Sequence, residues 1–417
     1  IRSVEATRAF RRLRGRVPIH EGVPSREKLH GFALAIDAML GTGAEGALRS
    51  PYAEAARALR ESGIPVLSVD VPSGFGGPGA VRASMTVTFT AVKRGMTRAN
   101  SGRIVLRDIG IPPAAIEQTG PGEYLAYPLR APAARAARIV IVGGGPYSGA
   151  PALSALAALR AGAERATILC PSSVVASVRA ASPTLVVHAI GEDRFRAAQA
   201  RELIRFLAAN RHDALAIGMG AGRERSTVSF FREVLRALPP GTPVVVDADA
   251  LESALELPGR ASWLLTPNEV ELLRITGARR DGPAPDREKM IHRFLRGRRC
   301  AVLAKGDPDR VGFEGRFAVN RCHHPAGMVS GAGDVLDGVL ATLLGAGAEP
   351  WEAARLGAYW VGDASSRVER RLGYGLIATD IIEELPAALR AAGRPGPAGP
   401  PTDHELRSGA VPGKPGA

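Results

Sequence analysis

The chain has 417 residues, of which 45% are hydrophobic, 23% are charged and only 5% are aromatic. This length provides for two or three globular domains, whose cores must rest on Ala, Val, Leu and Ile. The formal net charge is +13, but the arginines are scattered without aromatic interleaving or a basic tail, which disfavours nucleic-acid binding and suits an anionic small substrate or a compositional bias.

The cysteines and the hydropathy of the chain bear on its compartment. Cys170, Cys300 and Cys322 show neither metal-site spacing nor a disulfide framework, which predicts a reducing, cytoplasmic setting. No apolar run reaches membrane-spanning length and no signal peptide is visible, so no membrane association is predicted. The first residue is Ile1 rather than Met, which leaves open whether native residues precede it.

The N-terminal part alternates apolar strands with helices. Helices are predicted around residues 4–13 and 53–62, and strands over residues 32–36, 65–69, 85–89 and 102–109. This alternation predicts a parallel α/β sheet, whose ligands bind beyond the carboxyl ends of the strands. Asp37, Asp70, Ser73 and a Gly-rich loop at residues 41–47 fall at that edge. A single acid at a strand end more often caps a turn or helix, but three such strand ends in a short domain favour a binding site.

A Pro/Ala-rich stretch over residues 127–137 is predicted to link this domain, residues 1–126, to a second domain over residues 138–390. Residues 391–417 are rich in Pro and Gly and are predicted to be a disordered tail. In the second domain strands are predicted over residues 138–142, 214–217, 243–246, 263–265 and 300–304, and helices over residues 152–161, 335–344 and 351–369.

Loops rich in Gly or acids follow the strands of the second domain, and each is a weak signal alone. The GGGPYSG segment lacks the spacing of a dinucleotide-binding turn. Asp247 and Asp249 either cap a helix or bind Mg²⁺ through water. Lys305 is either a solvated charge or a phosphate contact.

The strongest local signal is the turn at residues 331–333, which leads into Asp334 and an apolar run of helical period. Glycines leave backbone N–H groups uncovered and a helix N-terminus adds partial positive charge, so the turn suits an anion such as a phosphoryl group in transfer. A carboxylate just beyond it can accept a proton from a substrate hydroxyl. The alternative is a helix start with a capping Asp.

These motifs, in this order, resemble those of the bifunctional NAD(P)H-hydrate repair enzymes, which join a hydrate epimerase domain to an ADP/ATP-dependent dehydratase. The N-terminal resemblance covers residues 32–112 through IDAMLGTG, SVDVPSGF, VTFTAVKRG and DIGIP. The C-terminal resemblance covers residues 139–389 through GGGPYSGAP, IGMGAG, VVDADAL, LTPNEVELL, LAKGDPD, GAGDVLDG and GLIATDIIEELP. It implies a two-domain α/β protein: an N-terminal Rossmann-like three-layer α/β sandwich, here partial, and a C-terminal ribokinase-like α/β domain.

The resemblance also implies roles for individual residues. In the epimerase domain it implies K⁺ ligands at Asp37 and Ser73. The hydrate would be held there by Asp70 and by the loop residues Gly41, Thr42, Gly43, Ala44, Glu45, Gly46 and Ala47. In the dehydratase domain the hydrate would contact Ala150, Gly220, Asn268 and Asp334. The adenine nucleotide would contact Lys305, Gly306, Asp307, Pro308, Asp309, Gly331, Ala332 and Gly333.

The implied reaction uses ADP or ATP with Mg²⁺ to phosphorylate the hydroxyl of the hydrate, which turns a poor leaving group into phosphate that the enamine nitrogen can expel. Asp334 would take the hydroxyl proton, and the amides of residues 331–333 would stabilise the transferring charge. We expect the hydrate and an adenine nucleotide as partners, neither nucleic acid nor membrane, and a homo-oligomer. The preference between ADP and ATP is left open.

Three departures from the family pattern leave alternatives open. The Asn-Gly-Gly-Asp stretch that starts the epimerase pattern is absent upstream of residue 32, so this domain is expected to be truncated and its epimerase activity is left open. The Ser-Gly-Ala-Gly-Asp turn at residues 330–334 and the pair Asn268 and Glu271 are closer to sugar and vitamin kinases. Asp309 stands where the family often has Thr, and an acid there would repel a phosphate. A ribokinase-like kinase for a vitamin precursor or sugar is the second hypothesis, and a non-catalytic nucleotide-binding assembly module is the third.

Overall fold

The computed structural model describes residues 4–42, 46–93, 95–126, 137–257, 260–278, 286–322 and 327–392. The chain divides into two compact units, Ile1–Ile116 and Glu117–Ala417. Most of the predicted linker, residues 127–136, and the predicted tail from residue 393 lie outside the described residues.

The first unit is built on a parallel sheet of four strands in the order β1-β2-β3-β4. The strands are β1 (Ala35–Asp37), β2 (Val66–Val69), β3 (Met85–Phe89) and β4 (Arg103–Arg107). The helices are α1 (Val4–Leu13), α2 (Arg26–Leu29), α3 (Tyr52–Ser62), α4 (Arg98–Ser101) and α5 (Pro113–Ile116). Ala56 and Leu59 of α3 pack with Val66 of β2 and Leu29 of α2 in a small core.

The second unit contains a sheet of nine strands in the order β13-β12-β11-β10-β9-β8-β5-β6-β7. These are β5 (Arg138–Val142), β6 (Arg165–Cys170), β7 (Val186–Ala189), β8 (Ala214–Ile217), β9 (Val244–Val246), β10 (Trp263–Leu265), β11 (Ala301–Ala304), β12 (Asp309–Phe313) and β13 (Arg316–Asn320). Strands β5 to β11 are parallel, whereas β12 and β13 form an antiparallel hairpin at the edge. The sequence analysis did not predict β6, β7, β12 or β13.

Helices cover both faces of this sheet. They are α6 (Gly122–Ala126), α7 (Gly149–Arg160), α8 (Ser172–Ala180), α9 (Ala200–Ala209), α10 (Arg225–Ala237), α11 (Leu251–Ala254), α12 (Glu269–Thr276), α13 (Arg287–Leu295), α14 (Ala332–Gly345), α15 (Pro350–Leu372) and α16 (Ala378–Ala392). One core joins α7, α14, α15 and α16 to Ile139 and Ile141 of β5. The other joins α9, α10, α12 and α13 to Val140 and Val142 of the same strand. Alternate residues of a strand point to opposite faces, so the apolar run of β5 supplies both cores.

The strand order creates a crevice at the centre of the sheet. The chain enters at β5, winds outward to β7, returns to β8 beside β5, and then winds in the other direction to β11. At such a point of reversal the loops after the two neighbouring strands diverge, and ligands of open α/β sheets bind there. The loops after β5 and β8, which carry the GGGPYSG and GMGAG segments, flank this crevice.

The edge of the second unit explains where the units divide. Residues 117–119 lie beside β13: the N–H of Val319 donates to Glu117 O at 2.8 Å, and the N–H of Thr119 donates to Val319 O at 2.9 Å. This segment therefore belongs to the second unit, which begins at Glu117, and the linker over residues 127–137 stays a prediction.

We expect Gly338→Ala to destabilise the second unit. Gly338 lies in α14, and a Cβ at this position would lie 2.0 Å from the carbonyl oxygen of Ser154 in α7. The helices would have to separate, and overpacking of this kind costs about 1–3 kcal/mol or more. The measurement is thermal unfolding. Gly149→Ala, at the first residue of α7 with no atom within 4 Å of the added methyl, is the matched control, and equal unfolding temperatures would contradict the prediction.

Candidate active site

The two loops at the sheet crevice are in direct contact. The N–H of Gly144 donates to Met219 O at 2.8 Å, and the N–H of Tyr147 approaches Gly220 O at 3.4 Å. Gly220 has φ +68, and a Cβ added there would lie 3.1 Å from the Cβ of Ala150. Ala150 and Gly220, both predicted to contact the hydrate, are therefore brought together.

The turn before α14 has the geometry that its glycines predict. Gly331 has φ +87 and is the N-cap residue of the helix. A Cβ there would lie 2.6 Å from Leu153 and 3.1 Å from Ala378, so the position requires a residue without a side chain. Asp334 is the third residue of α14, where N–H groups have no partner in the preceding turn. Its own carbonyl oxygen accepts from Ser154 Oγ at 2.8 Å, which fastens the helix start to α7.

A buried ion pair lies beside this turn. The ammonium of Lys305, at the end of β11, contacts both carboxylate oxygens of Asp247 at 2.8 Å. The side chains of Lys305 and Asp247 are 18% and 5% exposed. A Cβ added to Gly333 would lie 3.2 Å from Lys305 Nζ, so the ammonium lies against the backbone of the turn. The residue after Asp247, Ala248, has φ +48, a conformation that non-glycine residues rarely adopt and that is frequent at functional sites.

Besides Asp247, the charge of this ammonium acts on three carboxyl groups, and all three have raised pKa values. Burial, followed by the charge of Asp247, raises the pKa of Asp334 to about 7, although Lys305 opposes the shift. Burial and Asp247 likewise raise the pKa of Asp337, which accepts from Thr266 Oγ1 at 3.0 Å. Burial and Asp247 also raise the pKa of Glu271.

The Lys305 ammonium responds in the opposite sense. Burial alone would lower its pKa, but the neighbouring carboxylates outweigh burial and raise it. Lys305 therefore stays charged, while Asp334 changes its protonation state near neutral pH, which suits a group that accepts a proton during a reaction.

A cavity of about 440 Å³ opens beside the ion pair, a volume typical of small-molecule sites. Its polar part is formed by Asn268, Lys305, Gly306, Asp309, Ser330 and Gly333. Its apolar part is formed by Val329, Ala332, Leu336, Ala358, Val361 and Gly362. Five of the residues predicted to bind the nucleotide thus line one cavity: Lys305, Gly306, Asp309, Ala332 and Gly333.

The remaining predicted residues of this unit have other surroundings. Asp307 is exposed and Pro308 is half-buried, and neither lines the cavity. Asn268, predicted to contact the hydrate, lines the same cavity and caps α12: its Oδ1 accepts from the N–H of Glu271, and Glu271 Oε2 accepts from the N–H of Asn268, both at 2.9 Å. Asp249, predicted as a cap or Mg²⁺ ligand, accepts from the N–H of Gly222 at 2.7 Å and so braces the loop after β8.

In the first unit Asp37 and Ser73 are in contact. Asp37 is 1% exposed, and its Oδ1 accepts from Ser73 Oγ at 2.6 Å and from the N–H of Met39 at 3.4 Å. Its Oδ2 accepts from Ser68 Oγ at 2.9 Å and from the N–H of Ser73 at 2.8 Å. A carboxylate has about four lone-pair positions, and four donors occupy them here. Ser73, the other predicted K⁺ ligand, nevertheless keeps the lone pairs of its hydroxyl while it donates to Asp37. The structure therefore brings the two predicted ligands together, and the K⁺ site stays a prediction.

Asp70 lies at the end of β2 and pairs with Lys93, to which the sequence analysis gave no role. Lys93 Nζ also donates to Phe89 O at 2.8 Å and to Thr88 Oγ1 at 3.0 Å. Asp70 has φ +68, which marks a strained position. A Cβ on Gly41 would lie 4.0 Å from Asp70 Oδ2, so the start of the predicted hydrate loop reaches this pair. Within that loop Thr42, Gly46 and Ala47 are exposed, and Gly43, Ala44 and Glu45 lie outside the described residues.

Two family models match the chain. The model for NAD(P)H-hydrate dehydratase matches residues 139–387, well over half of the chain. The chain belongs to the NAD(P)H-hydrate dehydratase family. A second model, for the YjeF-related protein N-terminus, matches residues 3–95, and this match begins upstream of the first motif recognised at residue 32.

Curated relatives of this member of the NAD(P)H-hydrate dehydratase family are named as bifunctional enzymes. The bifunctional NAD(P)H-hydrate repair enzyme Nnr of Pyrobaculum aerophilum is 35% identical over 370 residues, which are 85% of this chain and 74% of that protein. The enzyme of the same name from Methanopyrus kandleri is 31% identical over 411 residues, 94% of this chain and 80% of that protein. These relatives favour the repair-enzyme prediction over the kinase and assembly-module alternatives.

Solved structures confirm the fold of the second unit. A ribokinase-like superfamily protein from Enterococcus faecalis aligns with a TM-score of 0.56 and 18% identity, over 66% of this chain and 96% of that chain. The ADP/ATP-dependent NAD(P)H-hydrate dehydratase from Bacillus subtilis, co-crystallised with ATP/Mg²⁺, aligns with a TM-score of 0.54 and 22% identity, over 62% and 90%. The predicted two-domain α/β class with a ribokinase-like C-terminal domain is thereby confirmed. Among the described residues no helix is long and apolar enough to cross a membrane.

Sequence reasoning missed two parts of the dehydratase-family site. The first is the wall that α15 contributes through Ala358, Val361, Gly362 and Ser365, whose helical spacing of three and four residues is a usable signal. The second is Asp337, one turn after Asp334 on α14, which is fully buried and faces the same carboxylates.

Proposed function

We propose that this protein catalyses the ADP- or ATP-dependent dehydration of NAD(P)H hydrate. The observation that carries the proposal is the Asp334 carboxyl, whose pKa is raised to about 7 at the start of α14 and beside the buried Lys305. This arrangement combines a base that works at neutral pH with donors for a transferring phosphoryl group. Family membership supplies the identity of the substrate.

The proposed reaction has two steps. Asp334 accepts the proton of the hydrate hydroxyl, whose oxygen bonds to the terminal phosphorus of the nucleotide while the bond from that phosphorus to the bridging oxygen breaks and the shortened nucleotide leaves. The ring nitrogen of the phosphorylated hydrate then expels phosphate with its bonding electrons, and a proton is lost from the neighbouring ring carbon. The products are NAD(P)H, phosphate and the nucleotide shortened by one phosphate.

The lining of the cavity favours one orientation of the bound nucleotide. The apolar wall formed by Val329, Leu336, Ala358 and Val361 suits the adenine base, and the polar part suits the phosphates. Lys305 Nζ lies 3.2 Å from the position of a Cβ added to Gly333 near the start of α14, where a charge-assisted contact and a helix N-terminus both attract phosphate. Lys305 is oriented by Asp247 rather than by the ligand, so this end of the site is preorganised.

The acidic surroundings of Lys305 fit Mg²⁺ held through water. Within the described part of the chain no three acidic, His or Cys side chains lie together as a metal site, and Lys305 occupies both oxygens of Asp247. Mg²⁺ usually keeps several waters and uses one or two carboxylates together with substrate phosphates. Asp247 and Glu271 would hold it in this way, and when bound it supplies neutralisation of phosphate charge.

The test is the recovery of the reduced-nicotinamide absorbance. NADH hydrate is mixed with the protein, Mg²⁺ and either ADP or ATP, and we expect a rise that requires a nucleotide and names the phosphoryl donor. If one hydrate epimer reacts and the other accumulates, the first unit has no epimerase activity. If ATP binds but the hydrate is unchanged, the dehydratase proposal is wrong and a kinase for an alcohol becomes the leading candidate.

Two further expectations belong to this proposal. Epimerase activity in the first unit is proposed only through Asp70 and Lys93, whose pairing at a strained strand end favours a site, and no step is assigned to K⁺.

Self-association stays a prediction. The exposure of Ile36 and Leu106, at 66% and 47% on the outer strands of the first sheet, supports it, because uncovered apolar edges favour pairing.

A further inference from the structure

Asp309 was predicted to contact the nucleotide, yet the protein itself holds both oxygens of its carboxylate. Oδ1 accepts from the N–H of Gly306 at 2.9 Å, which closes the loop of residues 305–308 on itself. Oδ2 accepts from Asn320 Nδ2 at 3.0 Å. Asp309 and Asn320 are directly paired in the β12–β13 hairpin, so the carboxylate connects the sheet to a loop whose Lys305 and Gly306 line the cavity.

The amide of Asn320 can take only one orientation. Asn320 is fully buried, and its Oδ1 accepts from Thr119 Oγ1 at 2.8 Å and from the N–H of Cys322 at 3.2 Å. A backbone N–H can only donate, so the amide oxygen must face Cys322 and the amide nitrogen must face Asp309. Thr119 is 6% exposed and lies in the segment that pairs with β13. Thr119, Cys322, Asn320 and Asp309 therefore form one directed chain of hydrogen bonds that ends at the loop of residues 305–308.

We propose that Asp309, Asn320 and Thr119 are positioning residues that fix the loop of residues 305–308 for nucleotide binding. The inference rests on the proposed function for the identity of the ligand, an adenine nucleotide with Mg²⁺. Asp309 acts through the loop, which resolves the objection that an acid would repel phosphate, because its negative charge is already shared by two N–H donors. Lys305 is held separately by Asp247, so loosening the loop is expected to weaken binding more than it slows the chemical step.

The chain offers an isosteric test. In Asp309→Asn, two amide NH₂ groups face each other without an acceptor. In Asn320→Asp, two carboxylates face each other without a donor. The double variant Asp309→Asn/Asn320→Asp restores every hydrogen bond with the polarity reversed. The amide introduced at position 309 keeps an oxygen for Gly306 and donates to the carboxylate introduced at position 320, which still accepts from Thr119 and Cys322.

We expect each single variant to raise the dissociation constant for Mg²⁺-ATP about tenfold, as measured by titration calorimetry. Leaving a buried polar group without a partner corresponds to a change of about tenfold or more in an equilibrium constant. The double variant is expected to bind within about twofold of the unaltered protein, and kcat at saturating ATP is expected to change little in all three. Hydrogen exchange of the peptide over residues 305–309 is expected to accelerate in the single variants and to recover in the double variant. Thr119→Val is expected to weaken binding and Thr119→Ser to preserve it.

Asn210→Asp is the matched control for Asn320→Asp, because it makes the same charge change at an exposed side chain that does not line the cavity. If the single variants bind ATP as the unaltered protein does, or if the double variant binds as weakly as they do, the positioning role is wrong. If the unaltered protein binds no ATP, the proposed function fails instead, and exchange at residues 305–309 still decides whether Asp309 and Asn320 hold the loop.

Discussion

Asp334→Asn is expected to lower kcat for the nucleotide-dependent reaction about a thousandfold, the size of effect that a positioned general base supplies. The substitution keeps the shape of the side chain and leaves Gly331, Lys305 and the cavity in place. The dissociation constant for Mg²⁺-ATP is therefore expected to change little. A loss of binding in parallel with activity would contradict the role of base, because it would show that Asp334 acts through the nucleotide.

The pH dependence of the same reaction gives a second measurement of Asp334. Its pKa is raised to about 7, and only the deprotonated carboxylate can accept the hydroxyl proton. Because kcat/KM reports the ionisation of the free enzyme, kcat/KM for the hydrate is expected to rise with pH through about 7 and to level off above it. Asp213→Asn, at a carboxylate that accepts from the N–H of Arg138 at 2.8 Å before β8, is the control and is expected to keep both the rate and its pH profile.

Lys305→Met is expected to have the largest effect on stability, because it removes the ammonium that pairs with Asp247 and whose charge acts on Asp334, Asp337 and Glu271. Breaking a buried ion pair by deleting one partner costs about 3–5 kcal/mol. The measurement is chemical unfolding. Lys289→Met removes an 85% exposed lysine from a surface pair with Asp286, and surface pairs contribute about 0–1 kcal/mol, so this control is expected to unfold almost as the unaltered protein does.

The stability deficit of Lys305→Met is expected to grow as pH rises from 5 to 8. The pKa values of Asp334, Asp337 and Glu271 are raised in the folded state. Carboxyls of this kind stabilise the fold below their unfolded pKa, and the contribution is lost as pH rises through the folded pKa. Without the ammonium Asp334 and Asp337 lose the positive charge that opposes their pKa shift, and Glu271 retains the smaller effect of Arg274. The double variant Lys305→Met/Asp247→Asn is expected to recover stability but not activity, and an equal loss of stability in both variants would contradict the ion-pair explanation.

Strands that end in a Gly loop or an acid were predictable. The bounds predicted for β3, β5, β8 and β10 are confirmed. The last three are almost continuous apolar runs, β3 alternates Thr with apolar residues, and each has a turn signal at its carboxyl end. The helix after the GAGD turn begins at Ala332, slightly before the prediction, because Gly331 in the left-handed region takes the N-cap position and lets the next residues become helical. The β12–β13 hairpin escaped prediction since arginines such as Arg310 and Arg316 interrupt its apolar pattern.

Pairing across the sheet was not predictable from local pattern. Lys305 and Asp247 were each noted at a strand end, but they are 58 residues apart in the sequence. The ion pair becomes visible only when the sheet topology brings the ends of their strands close together. The same holds for Asp309, whose partner Asn320 is fixed by the register of a hairpin that the pattern did not show. The raised pKa of Asp334 likewise depends on Asp247, which no spacing rule connects to it.

The docking of α14 on α7 has a consequence for synthesis of the chain. Ser154 contacts a residue 180 positions later, and Thr342 reaches back 184 positions to Ala158. A nascent chain that has emerged as far as residue 320 holds all the strands of the nine-stranded sheet but not α14, α15 or α16, which cover one of its faces. That face, which includes Ile139 and Ile141, stays exposed until the last helices have been synthesised, and exposed apolar surface of this kind favours aggregation. Catalytic competence and protection from aggregation are then acquired together, when the last helices close over the sheet.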